Sequence, residues 1–235
     1  MRHIQPTGSL PSDLLLLAGI EPCNRERVLD CLHAACIGYD DGDVILEPSS
    51  PTPCVACLVA GRADGCIYDE DGNRSILHLF TPGQVLSYGG AFGFGSLLDL
   101  TVVARRGCTL LTLDLTAAPS SCESMRNCVD TVRANLAQAV ASFDADLVAT
   151  LGIRTRRTAR GKVLAYLERE ARRQGSLSVD VPLSRQELAD YLAIDRATLS
   201  RELRALADEG QFEVKRNHFD LHIKPPKGHH RGEDR

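Results

Sequence analysis

The sequence predicts an α+β chain in three parts: an N-terminal antiparallel β jelly roll, a long amphipathic helix, and two short helices followed by a β-hairpin. Three observations carry this reading. Turn residues recur at short intervals from Asp40 to Asp114. Apolar residues recur every three or four positions between Ser121 and Leu151. Two helix starts stand close together between Ser184 and Leu206. Regular turn signals argue for an antiparallel barrel or jelly roll. A sustained helical period argues for one helix of many turns. The parts are expected at 1–120, 121–151 and 152–235.

Composition bounds what these parts can do. The 235 residues leave room for two compact domains, with 43% hydrophobic and 25% charged residues, as in ordinary soluble proteins. The formal net charge of −4 is unevenly spread. From Leu151 onward there are 18 Lys and Arg against 13 Asp and Glu, whereas residues 1–150 carry 9 against 18. An acidic module is therefore joined to a basic one, and only the second has the charge to meet a polyanion. No unbroken run of about 18 apolar residues occurs, so no membrane span is expected. Residues 14–17 are too short, and too far from a basic start, for a secretion signal. A cytoplasmic location is expected. Nine cysteines, an odd and scattered number, argue against a disulfide framework.

Along the chain, residues 1–12 form a polar lead-in. Residues 14–38 read as short helices with Leu14, Leu17, Ile20, Val28, Leu29 and Leu32 as the apolar set. The strand region follows, with turns at Asp41 and Gly42, at 69–73, and at Pro82 and Gly83. Residues 61–65, bounded by Gly61 and Gly65, read as a turn between a strand at 57–59 and another at 66–68. Arg105 and Arg106 read as the turn between strands at 101–104 and 108–113. In the long helix, Val129, Val132, Leu136, Val140, Phe143, Leu147 and Leu151 form one stripe. That stripe needs a partner, either the chain's own β-domain or a second copy.

The two short helices carry the chemistry. Ser184 with Glu187 is a capping box, and Asp195 is a second N-cap at the positive end of a helix. Leu188, Ala189 and Leu192 line the first helix, and Leu199, Leu203 and Leu206 the second. The link at Ala193, Ile194 and Asp195 has room only for a sharp turn, giving a helix-turn-helix. The outer face of the second helix then carries Arg196, Ala197, Ser200, Arg201 and Arg204, with Thr198 at its start. An arginine fork can take guanine O6 and N7 together, and further arginines and a serine can hold phosphates. A solvated basic face on a helical hairpin is the plainer alternative. The hairpin downstream decides between them: residues 212–214 and 219–223 alternate around a turn with Lys215 and Arg216, a basic wing able to touch phosphate. Arg185 is expected on the DNA backbone with Lys215 and Arg216.

With these residues in hand, the stretch from Leu183 to Leu206 resembles the DNA-binding domain of the Crp/Fnr family of bacterial transcription regulators. Arg185, Gln186 and Glu187 match its helix start, and Ser200 with Arg201 matches its recognition-helix pair. Ala197 stands where the family often has a glutamate, so the resemblance implies DNA binding but not the usual half-site. The β-region is similar to the family's sensor domain, a double-stranded β-helix of cyclic-nucleotide-binding type. Its landmarks are Asp41 and Gly42, Gly61, residues 71–74, residues 80–83 and residues 101–104. The resemblance implies a homodimer paired through the long helix, a palindromic double-stranded DNA operator, and RNA polymerase as a partner.

Family members that bind cyclic AMP use a glutamate for the ribose and, about ten residues on, an arginine for the phosphate. Residues 87–100 contain neither glutamate nor arginine, and the next arginine is Arg105. That argues against cyclic AMP. Tyr88, Gly89, Gly90, Gly93 and Gly95 could still nest an anionic effector, or be a tight-turn segment only. Cysteine offers a second route. Cys23, Cys31 and Cys36, with Cys108 distant, lack the close spacing of cluster ligands. Cys54 and Cys57 form a C-x-x-C with Cys66 on a possible neighbouring strand, open to a redox switch, a metal site or plain burial. No metal site and no cofactor is assigned. His78 is the only histidine in 38–115, a possible haem ligand or a core residue, and too little for a cupin-type enzyme. The expected function is regulation of transcription under an unidentified signal, not catalysis. An effector-independent regulator with a degenerate barrel and a thiol or metal redox sensor are the alternatives.

Overall fold

The computed structural model describes residues 2–4, 11, 14–47, 54–87, 100–116 and 123–222. Tyr88, the glycines at 89, 90, 93 and 95, most of the polar lead-in and the tail beyond residue 222 lie outside the described residues. The chain divides into two compact units, Met1–Leu151 and Gly152–Arg235.

The first unit is built on seven antiparallel strands: β1 (Arg2–Ile4), β2 (Ala35–Tyr39), β3 (Val44–Leu46), β4 (Val55–Tyr68), β5 (Arg74–Phe80), β6 (Val85–Ser87) and β7 (Thr101–Leu113). They run in the order β1-β2-β7-β4-β5, with β3 on β7 and β6 on β4, a jelly roll centred on two long strands. Those two strands correct the sequence reading. Residues 61–65 are no turn: β4 continues through them, with register shifts around Ala60. Likewise Arg105 and Arg106 lie inside β7. The glycines bend the ladder instead of ending it. Gly61 has φ +84° and Gly107 φ +67°, and a Cβ at Gly61 would overlap the Gly107 carbonyl oxygen. Facing bulges of this kind twist and curve a sheet while keeping it paired. Cys66 is accordingly on the same strand as Cys57. Residues 35–38, expected helical, form β2 because β7 offers them a complete antiparallel partner from Thr112 to Cys108.

A 3₁₀ turn (Leu15–Leu17) and α1 (Pro22–Cys31, with Pro at its first turn) bury Leu14, Leu16, Leu17, Ile20, Val28 and Leu32. They close over one end of the core together with α2 (Glu123–Arg154). The stripe on α2 is divided. Val129, Val132 and Leu136 pack with Val55, Cys57, Leu111 and Leu113 of the same chain's barrel, and Phe143 packs with Phe80 and Leu58. Over that length the stripe is covered by its own β-domain. Beyond it, Val148 is 69% and Leu151 60% exposed. By length and composition the helix is also apolar enough to cross a membrane, which a search for an unbroken apolar run passes over; here its apolar face is the lid of the core.

The second unit contains α3 (Ala159–Gln174), β8 (Ser178–Asp180), α4 (Arg185–Leu192), α5 (Arg196–Asp208), β9 (Phe212–Lys215) and β10 (His218–Leu221). Thr158 caps α3 by accepting from the Gly161 N–H, and Gly175 ends it in the left-handed region at φ +63°. The strands pair in the order β8-β10-β9, all antiparallel. Val163, Tyr166, Leu167, Leu188, Leu192, Leu199, Leu203, Leu206, Phe212 and Phe219 are buried as this unit's core.

Candidate nucleic-acid interface

The helix-turn-helix is set by local bonds that the sequence announces. Ser184 Oγ accepts from the Glu187 N–H at 3.2 Å, and Glu187 Oε2 accepts from the Ser184 N–H at 2.7 Å. Helix α4 ends at Ala193, whose φ of 50° puts a non-glycine residue in the left-handed region. The surroundings stabilise that turn. Arg154 donates to the carbonyls of Tyr191 and Asp190, both at 2.9 Å, and Lys162 Nζ donates to the Ala193 carbonyl at 3.2 Å. Two cations thus crown the negative end of α4. Burial pushes both below their usual pKa. Asp195 then starts α5, its Oδ1 accepting from the Thr198 N–H at 2.7 Å. Its bonds from Thr198 hold it below the ordinary carboxylate range.

Helix α5 buries Leu199, Leu203 and Leu206 and turns Arg196, Ala197, Ser200, Arg201 and Arg204 outward. Arg201 is steadied at the base of this face by donating to Thr198 Oγ1 at 2.9 Å. Arg204 makes a long, exposed contact of 4.0 Å with Asp208. A bond between the Arg160 and Glu209 side chains fastens the far end of α5 to α3. The structure therefore presents four polar side chains and one methyl group on a rigid helix, the arrangement that base-edge reading requires.

The hairpin β9–β10 turns at Arg216 and Asn217, with Arg216 at φ 57°. Lys215 and Arg216 are exposed on it. Arg185 is placed differently from the backbone contact expected of it. Half-buried, it donates through Nη2 to the Arg216 carbonyl at 2.6 Å and lies 5.2 Å over the Phe219 ring. It is the strut that holds the hairpin turn against α4. The Val181 N–H adds a bond of 2.8 Å to the Asn217 carbonyl. Sequence reasoning also missed Arg154 and Lys162 as turn supports and His218 on β10. Only the last had a local signal, a histidine beside the basic turn.

In the first unit, Arg105 is committed to a buried carboxylate. Asp64 is fully buried, with Arg105 Nε at 3.0 Å and Arg62 Nε at 3.2 Å. His78 is buried, edge-on to Phe80 and Phe143, with Nε2 at 3.4 Å from Gln84 Oε1. A cavity of about 40 Å³ beside Gln84, Ser142 and Phe143 has room for a water or two and not for a nucleotide. Cys57 and Cys108 are buried, and desolvation pushes their thiols up to about 12 and about 11. Such thiols stay protonated and unreactive at neutral pH. Cys54 is half-buried and also raised by burial. Among the described residues no three His, Cys, Asp or Glu side chains converge as a metal set.

Comparison with known proteins agrees with this geometry. Residues 161–228 match the Crp-like helix-turn-helix domain. The chain is 27% identical over 187 residues to the transcriptional activator protein FnrL of Cereibacter sphaeroides, covering 73% of this chain and 70% of that one. Two solved structures share the fold. FixK2 from Bradyrhizobium japonicum has a TM-score of 0.63 at 22% identity, over 81% of this chain and 93% of that one. The c-di-GMP responsive regulator CLP of Xanthomonas campestris has a TM-score of 0.68 at 14% identity, over 85% of this chain and 100% of that one. A β-unit, a long helix and, at residues 161–228, a match to the Crp-like helix-turn-helix domain occur here in one chain, an organisation similar to that of Crp/Fnr transcription regulators.

Proposed function

We propose that the chain regulates transcription as a homodimer on a palindromic operator, with α5 of each copy in a major groove. The observation that carries this is α5 itself, a capped, leucine-anchored helix with Arg196, Ser200, Arg201 and Arg204 outward. Arg201, with Thr198 behind it, reads a base edge, while Arg196, Ser200 and Arg204 serve base edges or phosphates. Lys215 and Arg216 reach the backbone from the wing, and Arg185 positions that wing. In this role the partners are double-stranded DNA and RNA polymerase, in the cytoplasm. The functional parts run 1–120 for sensing, 121–151 for dimerisation and 152–235 for DNA. Dimerisation uses the uncovered end of the α2 stripe, where Val148 and Leu151 are exposed one turn apart.

The signal acts on the β-domain and is not cyclic AMP. The filled core around Leu58, Phe80, Leu110 and Phe143 supports a second reading, in which the barrel is a scaffold without an effector. The raised thiols of Cys57 and Cys108 weigh against a thiol sensor at those positions.

The test is Arg201→Ala on DNA selected by the wild-type chain from a random pool. Losing one bidentate contact per half-site costs about 1–3 kcal/mol each, so over two half-sites specific affinity should fall roughly 30- to 20,000-fold with the dimer intact by ultracentrifugation. Wild-type affinity in the variant would refute the assignment. Leu151→Glu should give a monomer that still folds, and an unchanged dimer would move the interface elsewhere.

A further inference from the structure

We propose that His218 is a positioning residue for the wing, a protonated imidazolium that ties β10 to β8 and offsets the carboxylates beside the wing's cations. The inference rests on the reading of the hairpin as a phosphate-contacting wing. In the three-stranded sheet, Val179, Phe219, Phe212 and Leu221 take the inner face. The register therefore places Asp180, His218 and Lys215 in one row of the outer face, and Ser178, Asp220 and Glu213 in the next.

The hydrogen bonds in this cluster close only when both ring nitrogens carry protons. Nδ1–H donates to Asp180 Oδ1 at 2.8 Å, and Nε2–H donates to Ser178 Oγ at 2.9 Å. The Ser178 hydroxyl is then left to donate to Asp220 Oδ1 at 2.6 Å. Remove the Nε2 proton and Ser178 has one O–H for two acceptors, so one short contact loses its bond. Remove the Nδ1 proton instead and a bare nitrogen faces a carboxylate oxygen at 2.8 Å.

Of the charged groups around the ring, the carboxylates favour the imidazolium and Lys215 opposes it. Asp180 faces the ring from β8, Asp220 lies 3.4 Å from Nε2 on its own strand, and Lys215 and Glu213 flank it from β9. At the end of α3, neutral Gln174 bonds both the N–H and the carbonyl of Asp180, fixing that residue's backbone in place. Bonding to Asp180, then the charges of Asp180 and Asp220, raise the His218 pKa above its ordinary value. Once the ring proton leaves, Asp180, Asp220 and Glu213 face Lys215 alone on this side of the sheet. The field at the Lys215–Arg216 turn becomes less positive, and phosphate binding there weakens.

The experiment measures operator affinity of the full chain at fixed salt from about pH 6 to about pH 9, for wild type, His218→Gln and Asp180→Asn. In parallel, NMR follows the His218 ring protons in the free protein. Wild-type affinity should weaken about threefold or more as pH rises, with a midpoint that matches the His218 titration and lies above the ordinary imidazole value of about 6.5. His218→Gln should lack that component, and Asp180→Asn should move the midpoint down. Parallel profiles for wild type and His218→Gln overturn the proposal, as does a His218 midpoint at or below the ordinary value. Should His218→Gln not fold, an unmoved midpoint in Asp180→Asn overturns it. A wild-type chain that binds no DNA at any pH refutes the DNA reading itself, a distinct result.

Discussion

The two units of this chain solve opposite problems with opposite means. The first carries few basic residues, is assembled from strands far apart in sequence, and commits two arginines inward: Asp64, Arg62 and Arg105 form an ion cluster in the β4–β7 ladder. The second is basic, is assembled from neighbouring helices, and turns its charges out along α5 and the wing. A buried charge must find its partners within the fold, whereas an exposed arginine remains available for an anion. The contrast lies in the arginines: Arg62 and Arg105 are spent on Asp64, whereas Arg196, Arg201 and Arg204 stay exposed.

The contrast can be broken in several ways. The largest effect is expected at Asp64. Asp64→Ala leaves two guanidinium groups side by side without their carboxylate and should cost about 3–5 kcal/mol in the first unit. Calorimetry should show the barrel transition lowered and the second unit's transition in place; a joint shift would mean that the units unfold as one. Leu203→Ala removes a side chain that is 6% exposed and should cost about 2–5 kcal/mol in the second unit. DNA binding should be lost with it, while the dimer and the barrel transition persist. Ser184→Ala opens the capping box and should cost about 1 kcal/mol. It would show as faster hydrogen exchange in the first turn of α4 alone. Lys215→Ala should weaken all DNA sequences alike and reduce the slope of log affinity against log salt by about 1, whereas an unchanged slope would take Lys215 off the phosphates.

The units should also differ in pH dependence. His218 is raised in the folded state, so its contribution to the second unit is complete below the unfolded value and is lost as pH rises through the folded one. Asp195 and Asp220 are lowered, so theirs is present above the ordinary carboxylate value and lost as pH falls through the folded one. The barrel has a different limit. Cys57 stays protonated up to about 12 when folded, so its contribution drains away only from the ordinary thiol value of 9.0 upward. Unfolding followed across pH should show the second unit weakening on both sides of neutrality and the barrel weakening in alkali.

The second unit was the more legible because its signals are local. A capping box spans four residues, the Leu199–Leu203–Leu206 period spans two turns, and the hairpin pattern spans ten residues. Each can be read without knowing what packs on it. Arg185 is the exception. Nothing local distinguishes an arginine that reaches a phosphate from one that lies over Phe219 and bonds a carbonyl 31 positions away. In the barrel, Gly61 carried a turn signal that was true of the backbone angle and wrong about its consequence. A positive φ reverses a chain in isolation, but with a partner strand already paired on both sides it makes a bulge.

By itself, then, the sequence determined the order of the parts, the capped helices, the outward face of α5 and the asymmetry of charge, because these follow from spacing and composition over a few residues. Only the tertiary structure decided what covers the α2 stripe, that β4 and β7 run unbroken through their glycines, and that Arg105 answers Asp64 across 41 positions. It also decided that His218 stands between Asp180 and Asp220. The physical reason is common to all of them. Burial, ion pairing and strand pairing join residues distant in sequence, and their energy depends on a partner that no local pattern can name.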